Sequence, residues 1–111
     1  MPSKEHEQKI EEIDREIKSR GMHWKTKKNY PIWLHKENSW GQIDLVGFKR
    51  EEPMSPAMID AFEIEERNSA GQISRNLEKL EQIKKMTPIN IKVRTCQLKS
   101  NEDHKKVCIR K

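Results

Sequence analysis

The chain has few aromatic residues and little apolar material: 5 % and 32 % of its 111 residues, against 37 % charged. A domain this size and this polar buries a limited core. The apolar residues nevertheless cluster at regular spacings, and a net charge of +5 is modest. Both argue against disorder. No apolar stretch approaches the ~20 residues that span a bilayer, so no membrane segment is expected. The first nine residues, Met1 to Lys9, are polar and charged and do not read as a secretory signal. An intracellular protein is the expectation. There are two cysteines, Cys96 and Cys108, without zinc-ligand spacing. Inside a cell they are expected to be reduced thiols. Internal repeats and low-complexity tracts are absent. Length alone argues for one domain over residues 1–111.

A basic balance is present, with a sequence pI near 9.3. It suits a polyanionic partner, because lysine and arginine that neutralise phosphates release counterions. It equally suits a solvated surface. The basic side chains sit in suggestive places. Lys25, Lys27 and Lys28 lie among Trp24, Tyr30 and Trp33 in MHWKTKKNYPIWLHKENSW, where aromatics could stack on nucleic acid. The plainer expectation is that the tryptophans fill a small core, above all Trp33. Lys49 and Arg50 open a loop expected to run to about Pro56.

Periodicity sets out the elements. Ile10, Ile13 and Ile17 mark a helix from about Glu5 to Arg20, stopped by Gly21. Ser3 is a weak cap for it. A strand is expected at Ile32 to His35, a second at Ile43 to Phe48 and a third at Met58 to Glu66. Ser69 with Gln72 forms a capping box for a second helix. Ile73, Leu77, Leu80 and Ile83 recur along it, and Arg75, Lys79, Lys84 and Lys85 face the other way. Ile89 to Cys96 alternates as a strand, and Lys106 to Arg110 reads as a short last strand beside it. The fold class is α/β with α+β character: a mixed sheet flanked by helices, order α-β-β-β-α-β, with a possible extra C-terminal edge strand.

The third strand carries the chemistry. Side chains repeat every two residues along a strand, so Glu63 and Glu65 share a face. If the second and third strands pair, Asp44 comes beside them. Crowded carboxylates repel, and a hard divalent cation, Mg2+ or Mn2+, offsets that cost. The plain alternative is that alternating acids form the wet face of a sheet.

An acid at Ile43-Asp44, the Glu63-Ile64-Glu65 motif and the wording AFEIEERNSAGQISRNLEKL resemble the restriction-endonuclease-like PD-(D/E)xK nucleases. The likeness spans about Glu5 to Cys96 and rests on short motifs. It implies that Asp44, Glu63 and the backbone carbonyl of Ile64 bind metal, with Glu65 standing where most members place lysine. Glu12 fits best the acid that members often carry in the first helix, by its distance from Gly21, with Glu11 and Glu16 as competitors. Gln72 is a candidate for orienting water or phosphate, and Arg67 or Arg75 for supplying the missing positive charge. The implied activity is DNA hydrolysis by a homodimer, one centre per strand. The alternatives are a nucleic-acid-binding module that does not cut and an assembly protein using a sheet edge.

Overall fold

The computed structural model describes residues 4–52, 55–65 and 70–109. Ser3, Arg67 and the capping pair's Ser69 lie outside them. Helix α1 (Lys4–Lys18) is followed by β1 (Trp24–Leu34), β2 (Ser39–Glu52), β3 (Ser55–Glu65), α2 (Ala70–Met86) and β4 (Lys92–Lys99). The four strands form one sheet in the order β1-β2-β3-β4. β1, β2 and β3 run antiparallel as a meander; β3 and β4 are parallel. The parallel pair needs a crossover, and α2 supplies it. The expected mixed sheet with flanking helices is therefore present. No helix among the described residues is long and apolar enough to cross a membrane.

Each face of the sheet has its own core. Ile10, Ile13 and Ile17 of α1 pack with Trp24, Leu45, Phe62, Ile64 and Leu98. Leu80 and Ile83 of α2 pack with Ile32, Leu34, Ile43, Val46, Ile59 and Ala61 on the other side. Gly47 lets α1 come close: a Cβ there would lie 3.0 Å from Ile17. Gly21, at φ 140°, lets the chain leave α1.

The first three strands are longer than expected. The strand expected at Ile32 to His35 begins earlier, at Trp24: β1 pairs with β2 from Trp24↔Lys49 to Leu34↔Ser39. Most of the expected loop after Lys49 is strand as well, with register shifts at Lys49/Arg50 and Arg50/Glu52 and pairing out to Glu52↔Ser55. Cross-strand partners, invisible to a single segment's propensity, extend both elements.

The tail corrects two expectations. Lys105–Ile109 forms a π-helical turn, not an edge strand. Asp103 starts it by accepting a hydrogen bond from the Lys105 backbone N–H at 2.9 Å, a local bond that competes with strand formation. Cys96 and Cys108, expected as free thiols, are joined as a disulfide with Cα atoms 5.5 Å apart. The bridge closes a loop 12 residues long. A closed loop of this size removes about 3 kcal/mol of chain entropy from the unfolded state. Cys108→Ser should lower unfolding free energy by about 2–3 kcal/mol in urea titration under oxidising conditions. Wild type in dithiothreitol should match the variant.

Candidate active site

The site grows out of an irregularity shared by β1 and β2. Trp24 packs in the α1 core, the Thr26 hydroxyl donates to Asp14, and Lys28 pairs with Glu11, so these side chains face α1. Two residues further on, Tyr30, Ile32 and Leu34 belong to the α2 side. Residues two apart share a face in a regular strand, so β1 turns over between Lys28 and Tyr30. The turning point is Asn29, at φ 52°, a left-handed conformation that asparagine tolerates better than most residues. β2 turns over at the same level, because Ile43 lies in the α2 core and Leu45 in the α1 core. Asp44 stands at that crossover.

The ladder between β2 and β3 runs from Leu45↔Phe62 toward the hairpin and does not continue past Asp44. Two crossed bonds replace it. The Asp44 backbone N–H donates to Glu63 Oε1 at 2.9 Å, and the Ile64 N–H donates to Asp44 Oδ2 at 2.8 Å. Each carboxylate thus occupies the place of a missing strand carbonyl, satisfying amides that would otherwise be orphaned. Asp44 and Glu63 are brought together as the sequence suggested.

Each helix adds one side chain. His6 Nε2 of α1 lies 3.2 Å from Asp44 Oδ2. Lys79 Nζ of α2 lies 3.6 Å from Glu63 Oε2, with only 12 % of its side chain exposed. Glu63 is almost fully buried, and its carboxyl is pushed up to about 7 from 4.5, first by burial and then by the Asp44 charge; Lys79 opposes the shift.

The other sequence candidates stand apart. Glu65 is buried, but no group of three His, Cys, Asp or Glu side chains able to share an ion occurs among the described residues. Among the described residues its Oε1 has no hydrogen-bond partner, nor do Asn76 Nδ2 and Gln97 Oε1. Glu12 is half-exposed, bonds Lys9 at 3.0 Å and lies 3.8 Å from His104 Nδ1, so the helix residue that reaches Asp44 is His6 instead. Gln72 donates to Asn76 at 2.9 Å. Arg75 pairs with Glu37 at 3.6 Å, and Lys28 with Glu11. Lys25, Lys27 and Arg50 are exposed and Lys49 is half-buried.

Sequence signals for the missed residues exist. His6 precedes Ile10, Ile13 and Ile17 at helical spacing and simply extends their stripe. Lys79 falls beside Asn76, Leu80 and Ile83, the residues that α2 buries. Leu77 is 49 % exposed. The helix is therefore rotated by roughly 50° from its apolar stripe, at about 100° per residue. The rotation turns Asn76 and Lys79 toward the sheet and Leu77 away from it.

Comparison of the chain with protein-family models, curated proteins and solved structures found no match. The site must be argued on its own chemistry. Mg2+ is held by one or two carboxylates plus waters and substrate phosphates, so Asp44 and Glu63 suffice as a donor pair. Both hydrogen bonds to Asp44 fall on one oxygen, Oδ2. Burial first, and the Asp44 charge second, raise the Glu63 carboxyl, so a cation placed beside the pair would favour its ionised form.

The same shift fixes a pH dependence. Folded Glu63 holds a proton up to about pH 7, whereas the unfolded chain releases it near 4.5. Stability from this group therefore falls as pH rises through that window. Glu63→Gln should equal wild type below pH 4.5 and exceed it above pH 7 by on the order of 3 kcal/mol. Thermal melts across pH in metal-free buffer measure the difference, and millimolar Mg2+ should narrow it by stabilising wild type alone.

Proposed function

We propose that the protein is a metal-dependent nuclease that hydrolyses phosphodiester bonds in DNA, a Glu-x-Glu variant of the PD-(D/E)xK type. The observation that carries the proposal is the interlocked Asp44 and Glu63 pair at the point where β2 and β3 part, with a shielded lysine beside it. Mg2+ or Mn2+ bound there would polarise the phosphate and lower the pKa of a bound water. Asp44 and Glu63 would hold the ion, and the resemblance adds the Ile64 carbonyl. His6 orients the Asp44 carboxylate. Lys79 would supply the positive charge that the motif usually places at the position of Glu65; Arg75, one turn earlier on α2, pairs with Glu37 instead. Glu65, buried with an unpartnered oxygen, is the candidate base or outer ligand.

Duplex cleavage needs a second centre, which a homodimer would provide. Joining through β1 is disfavoured. Pro31 removes a donor from that outer strand and Asn29 breaks its regularity, both devices that blunt a sheet edge. The assembly-protein alternative would have to use the β4 edge instead.

A non-cutting binding module has one observation in its favour. Asp44 and Glu63 already have internal partners in His6, Lys79 and two backbone amides. Incubation with plasmid, single-stranded and branched DNA in Mg2+ or Mn2+ separates the two readings. Cleavage that EDTA abolishes supports the nuclease. Salt-sensitive binding without cleavage in any metal supports the module.

A further inference from the structure

Beneath α2 the sheet presents polar side chains to a polar stretch of the helix. Glu63 and Glu65 lie on the α2 side of β3, since Phe62 and Ile64 pack in the α1 core and Ile59 and Ala61 in the α2 core. Gln97 stands opposite Glu63 across the parallel ladder, and its neighbour Leu98 packs in the α1 core. Gln97 therefore also faces α2. As the crossover to a parallel strand, α2 runs back along β3, with Leu80 and Ile83 packed among Ile59 and Ala61. Asn76, one turn before Leu80 and ~6 Å along the axis, comes over the Glu63 to Glu65 end. Lys79 Nζ, 3.6 Å from Glu63 Oε2, fixes the same level.

The side chains there have complementary needs. Glu65 Oε1 and Gln97 Oε1 are buried acceptors and Asn76 Nδ2 is a buried donor, and among the described residues none of them has a hydrogen-bond partner. Glu65 is 5 % exposed and Asn76 1 %. The Asn76 amide is oriented, because its Oδ1 accepts from Gln72 Nε2 at 2.9 Å, which leaves Nδ2 to donate elsewhere. Orphaned groups of this kind are costly inside a fold. A metal ion does not satisfy them, since it cannot accept from Asn76, and an ammonium fails for the same reason. A neutral molecule that donates two hydrogen bonds and accepts one does. Buried waters typically make about three bonds of this sort.

The rotation of α2 points the same way. A helix set by its apolar stripe would bury Leu77 and expose Asn76, and α2 does the opposite. The bond between Asn76 and Gln72 cannot draw the helix round, because both residues belong to it. A bridge from Asn76 to β3 and β4 can.

We infer that Asn76, Glu65 and Gln97 hold one internal water between α2 and the ends of β3 and β4, and that this bridge sets the rotation of the helix. The inference stands whether or not the chain cleaves DNA. Under the nuclease reading Asn76 and Gln97 are positioning residues, since the same rotation carries Lys79 to Glu63.

A crystal structure of the wild-type chain, at a resolution that shows ordered water, is the first test. A single peak within about 3.2 Å of Glu65 Oε1, Gln97 Oε1 and Asn76 Nδ2 is expected. Direct bonding among these side chains, with no peak between them, overturns the inference. So does a peak ringed by oxygens at about 2.0–2.6 Å, which would be a cation. Gln97→Met keeps the side chain's length at a half-buried position, and the peak should be lost from it. Asn76→Ala should also raise the Glu63 titration above about 7, read by carboxyl-carbon NMR, because Lys79 opposes its rise and would no longer be held in place. An unchanged Glu63 titration in that variant would overturn the claim that the bridge sets the helix.

Discussion

Asp44→Ala and Glu63→Ala should each abolish the proposed metal-dependent DNA cleavage while leaving metal-free DNA binding within about twofold, since neither touches the exposed lysines proposed to meet phosphate. A cation's contribution to transition-state charge is worth several kcal/mol, and each 1.36 kcal/mol is tenfold in rate. The expected loss is therefore about a thousandfold. The two variants should not be additive, because both residues would hold the proposed ion and they also hold each other. The Asp44 N–H rests on Glu63, and Asp44 accepts the Ile64 N–H. Asp44→Asn keeps much of this bonding and removes the charge, so it separates loss of metal from loss of shape. Circular dichroism melts alongside a plasmid-nicking assay provide the comparison. Lys79→Ala should reduce cleavage by less, since the lysine neutralises charge without holding the metal.

The second large effect lies at the C-terminal end of α1, on the same side of the sheet. Asp60 is buried and receives Arg20 at 2.7 Å and two nitrogens of Arg94, each at 2.6 Å. Arg20 also binds both oxygens of Glu16, at 3.2 and 3.0 Å. The bonded Asp60 carboxylate holds the Arg94 guanidinium above its ordinary pKa. Forked guanidinium pairs of this kind are strong in geometry but costly to desolvate. Removing Asp60 takes both bonds from Arg94 and leaves Arg20 with Glu16 alone. Asp60→Ala should therefore destabilise the fold by about 3–5 kcal/mol in urea titration. Replacing Asp60, Arg20 and Arg94 together by apolar residues should cost much less. The network joins the end of α1 to β3 and β4, which sets where α1, and with it His6, lies over the sheet.

Much of this was legible from residue order. The stripe of Ile10, Ile13 and Ile17 is the buried face of α1, and the alternation around Phe62 and Ile64 gives both faces of β3. The meeting of Asp44 and Glu63 follows from antiparallel pairing of their strands. Other features depend on contacts that no local pattern encodes. Asn29 does not announce that two strands turn over together; that needs both cores in place. Lys79 reads as a solvent-facing cation because Ile73 and Leu77 define the apolar stripe, yet α2 turns toward its polar side. Trp33 reads as core because tryptophan is large, yet its neighbour across the hairpin is Trp40. The final segment alternates like a strand, but Asp103 bonds locally and Cys108 ties it to Cys96, and it winds instead.

Titration of the wild-type chain with Mn2+, followed by electron paramagnetic resonance, reads the proposed centre without needing any substrate. One ion bound per chain at neutral pH, lost in Asp44→Asn and in Glu63→Gln, is the expected result. A wild-type chain that binds no Mn2+, or variants that bind it unchanged, would contradict a metal centre built on these two carboxylates.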